Sequence, residues 1–284
     1  MTESQLLRPA RLVQQQLKTH QLERTALLQR AQALVEQDLR VNAAWLFGSL
    51  GRGDADDLSD IDLFIIVADE HQDDMVASRY AYMAQLGEPL LILEAPQNWP
   101  PGAVYNMALY PGESGPHQVD WYWQRQSRAR VPTEIQLWFD RVNLPHVDAV
   151  TRFDYAPVPP RPAEEVVTQQ VNEFWVMLLI AAKYVARTPW QTEMGLLKWV
   201  PELLKPVEQF VGLSISLIKA AQPHPTPVEK LGMLRECAAT MEILMPKVMA
   251  HGGRVPLALV PHAYCYLDFI EAVTQLQPNP IERL

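Results

Sequence analysis

Cysteine is scarce in this chain: only Cys237 and Cys265 occur among 284 residues. Each sits in an apolar, helix-like stretch, which excludes a disulfide framework and a thiolate metal centre and reads as a buried thiol. Long apolar runs are also missing. The longest, Phe174–Ala182, falls far short of the roughly 20 residues that a membrane span needs. The opening MTESQLLRPA does not read as a secretory signal, so a soluble, cytoplasmic protein is expected. Positive charge is in deficit, with 24 Lys and Arg against 33 Asp and Glu, a net charge of −9. That balance argues against gripping nucleic acid through its phosphates, which takes clustered cations. It leaves a nucleotide substrate open and favours the approach of a cationic one. The seven histidines lack ligand spacing of the H-x-x-x-H kind.

What is present is enough apolar material, 48% of the residues, to build two modest cores. Leu6–Leu39 carries an imperfect helical apolar stripe. Val41–Phe47 is a short apolar run that ends at Gly48, as a buried strand entering a turn would. The polar stretch Arg52–Leu58 reads as a connection, and Ile61–Val67, Pro89–Glu94, Ala103–Tyr110 and His117–Gln124 read as further strands. Tyr155–Ala163 holds four prolines in nine residues, which neither a helix nor a central strand tolerates. Beyond it the pattern is helical: Glu164–Arg187, Gln191–Ala221 interrupted at Pro201 and Pro206, Val228–Met249 with Pro246 near its end, and Pro261–Leu276. The expectation is an α+β chain, with a mixed-sheet domain over 1–154, a linker over 155–163 and an antiparallel four-helix bundle over 164–284.

The chemistry concentrates in FGSLGRGDADDLSDIDLFII, Phe47–Ile66. Strand alternation turns Asp60 and Asp62 to one face and Ile61 and Leu63 to the other. On His117–Gln124 the same alternation separates Asp120 and Tyr122 from Val119, Trp121 and Trp123. Two or three converging carboxylates and a triphosphate satisfy Mg2+, a hard cation that takes oxygen ligands. Nucleotidyl transfer uses such ions to neutralise charge on the attacking and leaving oxygens. Gly48 removes a side chain where phosphate oxygens would approach, Ser49 offers a hydroxyl and an N–H, and Arg52 adds a cation. A bare D-x-D is also what a strand-entry turn contains, with Ser59 capping locally and the acids solvated. The Gly-Ser turn and the third strand-borne acid favour the site.

The run GSLGRG…SDIDL resembles the signature of the DNA polymerase β-like nucleotidyltransferase superfamily. The resemblance implies triphosphate binding at Gly48 and Ser49, both metals at Asp60 and Asp62, and the catalytic metal at Asp120. It also implies a sheet domain of polymerase β type with two Mg2+ ions and ATP or another nucleoside triphosphate as co-substrate. NEFWVMLLIAAK, Asn172–Lys183, looks like the corresponding segment of the streptomycin adenylyltransferases in the antibiotic-modifying branch. There an acid on the first helix of the second domain takes the acceptor's proton. By that resemblance Glu173 is the general base and Lys183 a phosphate contact, with the active site between the domains. A carboxylate beside the apolar run Phe174–Ala182 would be partly desolvated, which raises its pKa towards a useful value. Lys183 lies about 15 Å along the helix and about 80° around it from Glu173, where a snorkelling surface lysine is an equal reading.

The expected activity is transfer of a nucleoside monophosphate, AMP from ATP, to a hydroxyl of a small molecule of aminoglycoside or lincosamide type, with release of pyrophosphate. The implied partners are a nucleoside triphosphate and that small, hydroxylated acceptor, with no nucleic acid and no membrane; the chain would be a monomer or homodimer. Two rivals use the same core: an enzyme that modifies protein or RNA, and a non-catalytic nucleotide sensor. Trp121, Trp123, Trp175, Trp190 and Trp199 read as core before pocket.

Overall fold

A computed structural model describes residues 3–95, 98, 103–148, 160–187, 190–213 and 225–276, with side chains omitted for 3–9 and 190–194. The chain divides into two compact units. One comprises residues 20–112 and 117–159, the other 1–19, 113–116 and 160–284.

The first unit is a six-stranded mixed sheet in the order β3-β4-β5-β2-β1-β7. Its strands are β1 (Val41–Phe47), β2 (Ile61–Val67), β3 (Leu91–Glu94), β4 (Ala103–Tyr110), β5 (His117–Arg125) and β7 (Gln136–Asp140). β2 and β5 run parallel, while the other neighbouring pairs are antiparallel. The short strands β6 (Val131–Pro132) and β8 (His146–Val147) pair separately. Sequence periodicity locates β1, β2 and β4 at their observed bounds. It misses β7, whose residues are exposed or half-buried and so carry little apolar signal.

Alternation along the strands gives the sheet two chemically different faces. One buries Ile61, Leu63, Ile65, Val119, Trp121 and Trp123 beneath Leu27, Ala31 and Val35 of α1 (Glu3–Gln37) and the short helices that follow β2. These helices, α3 (Gln72–Ala77) and α4 (Arg79–Met83), add Met75, Tyr82 and Met83 to the same core. Burial of this many large side chains at roughly 1.5–3 kcal/mol each is the main force holding helices to sheet. The other face carries the acids. One register step in from them, Trp45, Phe64, Tyr122 and Tyr105 form a row across β1, β2, β5 and β4. Phe64 stacks on Tyr122 with centroids 4.5 Å apart and an interplanar angle of 5°. Trp45–Phe64 and Tyr105–Tyr122 continue the row at 5.6 and 4.8 Å.

The second unit is helical. Its helices beyond residue 159 are α5 (Ala163–Arg187), α6 (Trp190–Glu202), α7 (Leu204–Val211), α8 (Pro227–Ala250) and α9 (Leu259–Leu276). Among the described residues five helices therefore stand where four were expected, because the proline-marked segment breaks into α6 and α7 around Leu203. Pro246 does not shorten α8, which continues through it to Ala250. α8 starts on a complete capping box: the Thr226 hydroxyl accepts from the Glu229 N–H, and the Glu229 carboxylate accepts from the Thr226 N–H. Arg235 ties α8 to α9 through Asp268 and Glu271, each at 2.7 Å. Cys237 is buried, but Cys265 is exposed, with its Sγ 3.1 Å from the Glu113 carbonyl oxygen. The expectation of two buried thiols holds for one of them. Among the described residues no helix is long and apolar enough to cross a membrane. The linker expected at Tyr155–Ala163 lies outside the described residues for 155–159, as do 214–221 of the expected second helix.

Candidate active site

Asp62 and Asp120 are register partners on the adjacent parallel strands β2 and β5. Their backbones are therefore about 4.8 Å apart, with both side chains on the same face. Asp120 is buried, at 7% exposure; Asp62 and Asp60, the residue just before β2, are half-buried. The Gln118 side chain donates to Asp120 Oδ1 at 3.0 Å from two residues earlier on the same face. All three acids act on one phenol. The pKa of Tyr122 is pushed far up, first by burial and then by the charges of Asp120, Asp62 and Asp60 in that order. Tyr105 is raised by burial too, with Asp120, Tyr122 and Asp62 adding to the shift. All three carboxylates therefore lie near enough to the aromatic row to act on Tyr122.

Gly48 opens a single helical turn, α2 (Gly48–Arg52), directly after β1. Its φ of +64° favours glycine, and a Cβ built there would lie 2.0 Å from Asp62 Oδ2. A side chain here would collide with the Asp62 carboxylate, so the glycine leaves that acid its room. Phe47, the register partner of Asp62, places the two halves of the motif side by side. Ser49 is half-buried in α2. Arg52 pairs with Asp54 at 3.1 Å, and both side chains are well exposed.

The loop before β2 closes on itself and is also held from outside. Ser59 Oγ accepts from the Asp56 N–H and donates to Asp56 Oδ1, both at 2.9 Å. The local capping that marks a mere strand-entry turn is therefore present together with the converging acids. Arg24 of α1 donates to the carbonyl oxygens of Asp56 and Ser59 at 2.7 and 2.9 Å, fixing the backbone on either side of the turn that delivers Asp60. Sequence reasoning missed Arg24. Its only signal is a cation on a polar helix face, which any solvated arginine shares.

On the helical unit, Glu173 is half-buried on α5, and burial raises its pKa above the ordinary glutamate value. Lys183, on the same helix, is buried at 6% exposure, which removes the reading as a snorkelling surface lysine. Of the five tryptophans considered, Trp121, Trp123 and Trp175 are fully buried and Trp199 is 43% exposed. The side chain of Trp190 lies outside the described residues.

Were Asp60, Asp62 and Asp120 to hold a metal, they would offer it carboxylate oxygen alone. That chemistry suits a hard divalent cation such as Mg2+ and does not suit a thiolate- or imidazole-seeking metal.

The structure thus sets paired carboxylates on adjacent strands of a mixed sheet, beside a glycine turn. Residues 29–98 match the family model described as Polymerase beta, Nucleotidyltransferase. The match spans α1 from residue 29 through β3 and includes Gly48, Ser49, Asp60 and Asp62, so it supports the polymerase β-like superfamily and a general nucleotidyl-transfer activity. Asp120, Glu173 and Lys183 lie beyond it. No curated protein matches the chain.

Proposed function

We propose that the chain is a Mg2+-dependent nucleotidyltransferase that moves a nucleoside monophosphate, AMP from ATP, to the hydroxyl of a small acceptor of aminoglycoside or lincosamide type. The observation that carries the transfer chemistry is the in-register pair Asp62 and Asp120, with Asp60 beside it. Together they gather three carboxylates over the buried Tyr122. Two Mg2+ ions held by these acids would neutralise charge on the attacking and leaving oxygens. The acids keep their positions through the ladder, and Gly48 leaves Asp62 the room it needs. The acceptor oxygen forms a bond to the α-phosphorus, the bond from that phosphorus to the bridging oxygen breaks, and pyrophosphate leaves. By the resemblance of its segment, the Glu173 carboxylate would take the acceptor's proton, and burial raises its pKa above the ordinary glutamate value. Ser49 contacts the triphosphate through its hydroxyl, with Arg52 and Lys183 contributing charge. The resemblance of Asn172–Lys183 to streptomycin adenylyltransferases supports the acceptor class, as does the net charge of −9, which favours a polycation.

Incubation with α-labelled ATP, Mg2+ and a panel of aminoglycosides and lincosamides tests this. Label on a panel compound, with stoichiometric pyrophosphate, is the expected result. Label that appears only on a protein or RNA band from added lysate would overturn the acceptor class and keep the transfer chemistry.

A further inference from the structure

A second constellation lies on the opposite face of the sheet, where α1 covers the start of β5. His20 and Glu23 stand three residues apart on α1 and so share one face of the helix. His117 is the first residue of β5. One ligating atom from each of the three lies within 4.8 Å of the others. His117 Nε2 is 3.0 Å from Glu23 Oε2, and the two imidazoles stack with centroids 4.3 Å apart and an interplanar angle of 28°. Both histidines are buried, at 4% and 5% exposure.

We propose that His20, Glu23 and His117 form a binding site for a borderline divalent transition metal, Zn2+, separate from the carboxylate site. Two imidazole nitrogens and one carboxylate oxygen are a zinc donor set, with water completing a tetrahedron. The same set disfavours Mg2+, which takes oxygens in an octahedron. Tetrahedral Zn–N and Zn–O bonds separate neighbouring donors by about 3.3 Å, close to the spacing that Glu23 and His117 already have. The ion takes the place of the proton between them, and a rotation of the stacked His20 ring brings its nitrogen to the same point. The Arg24 guanidinium opposes a cation here; the Glu23 carboxylate offsets it.

The location gives the ion a structural task. His117 stands three residues before Asp120 on β5, and the same turn of α1 supplies Arg24 to the loop before Asp60. A metal that joins α1 to β5 fixes, from the far face, the approach to both acid-bearing strands.

The test uses the full chain stripped with a chelator and titrated with Zn2+ and, as a spectroscopic probe, Co2+. Three results are expected: one equivalent of Zn2+ bound, a rise in Tm of at least about 3 °C at saturation, and the visible absorption of low-coordinate Co2+. Glu23→Gln, at a half-buried position, should weaken Zn2+ at least tenfold, whereas Asp62→Asn should leave it unchanged. Absence of saturable binding, binding indifferent to Glu23→Gln, or loss of binding in Asp62→Asn would each overturn the site. The readouts do not involve catalysis, so they stand apart from the fate of the proposed transferase activity.

Discussion

The acids of the sheet and the charged pair on α5 are held by different kinds of geometry. Asp62 and Asp120 are 58 residues apart in sequence yet locked opposite one another by a parallel ladder that runs from Ile61↔Val119 to Val67↔Arg125. Slipping that register by one residue would turn one acid into the core face, where Trp121 and Leu63 now pack. Glu173 and Lys183 are ten residues apart on one continuous helix, so their separation is fixed by helical rise alone. The ladder specifies a constellation and the helix specifies only a spacing. The sheet site can therefore be argued from its own geometry, whereas the α5 residues depend on resemblance and on burial.

If the ladder pair acts as a unit, its loss should be the largest effect. Asp62→Asn and Asp120→Asn should each lower pyrophosphate release on the order of 10⁴-fold, the rate equivalent of several kcal/mol of charge stabilisation. The double variant should be scarcely worse than either single one. Steady-state assays of all three settle it: additive losses would mean that the two acids do not share a metal.

Glu173→Gln comes next, with turnover lowered roughly 10²–10⁴-fold and nucleotide affinity kept, as measured by turnover alongside a nucleotide-binding titration. The pH profile sharpens the assignment. The base acts when ionised, and burial raises its pKa, so the acidic limb of kcat should sit above the pH expected of an ordinary glutamate and vanish in the variant. The sign for stability runs the other way. A carboxyl whose folded pKa is raised contributes fully below its unfolded pKa and loses that contribution as pH rises through the folded one. Near-normal turnover in Glu173→Gln would leave Glu173 with no chemical part and break the comparison.

Arg24→Met should have the smallest effect. It removes the two hydrogen bonds to the Asp56 and Ser59 carbonyls while keeping an apolar stem. Turnover should fall about tenfold, as one to two kcal/mol of positioning would give, and the apparent Mg2+ requirement should rise. Titration of Mg2+ against turnover checks it, and an unchanged Mg2+ dependence would confine Arg24 to stability.

Much of the sheet was legible because its signals are local. Val41–Phe47 and Ile61–Val67 are apolar runs bounded by turn residues, and alternation around Asp60, Asp62 and Asp120 assigns faces without knowledge of pairing. β7 escaped because an edge strand half-exposed on both faces has no apolar pattern to read. The metal-type cluster escaped for another reason. His20 and His117 are 97 residues apart, and no spacing rule joins a helix position to a strand start.

The sequence by itself determined which residue types meet water and which meet the core, and so most of the sheet's strands and the face that carries Asp60, Asp62 and Asp120. Only the tertiary structure decided that β5 lies parallel to β2 with Asp120 opposite Asp62, that a side chain at position 48 would collide with Asp62, and that Arg24 braces the turn before Asp60. Alternation and helical period are short-range consequences of backbone geometry. Register between distant strands is set by the packing of whole faces, which no single segment encodes.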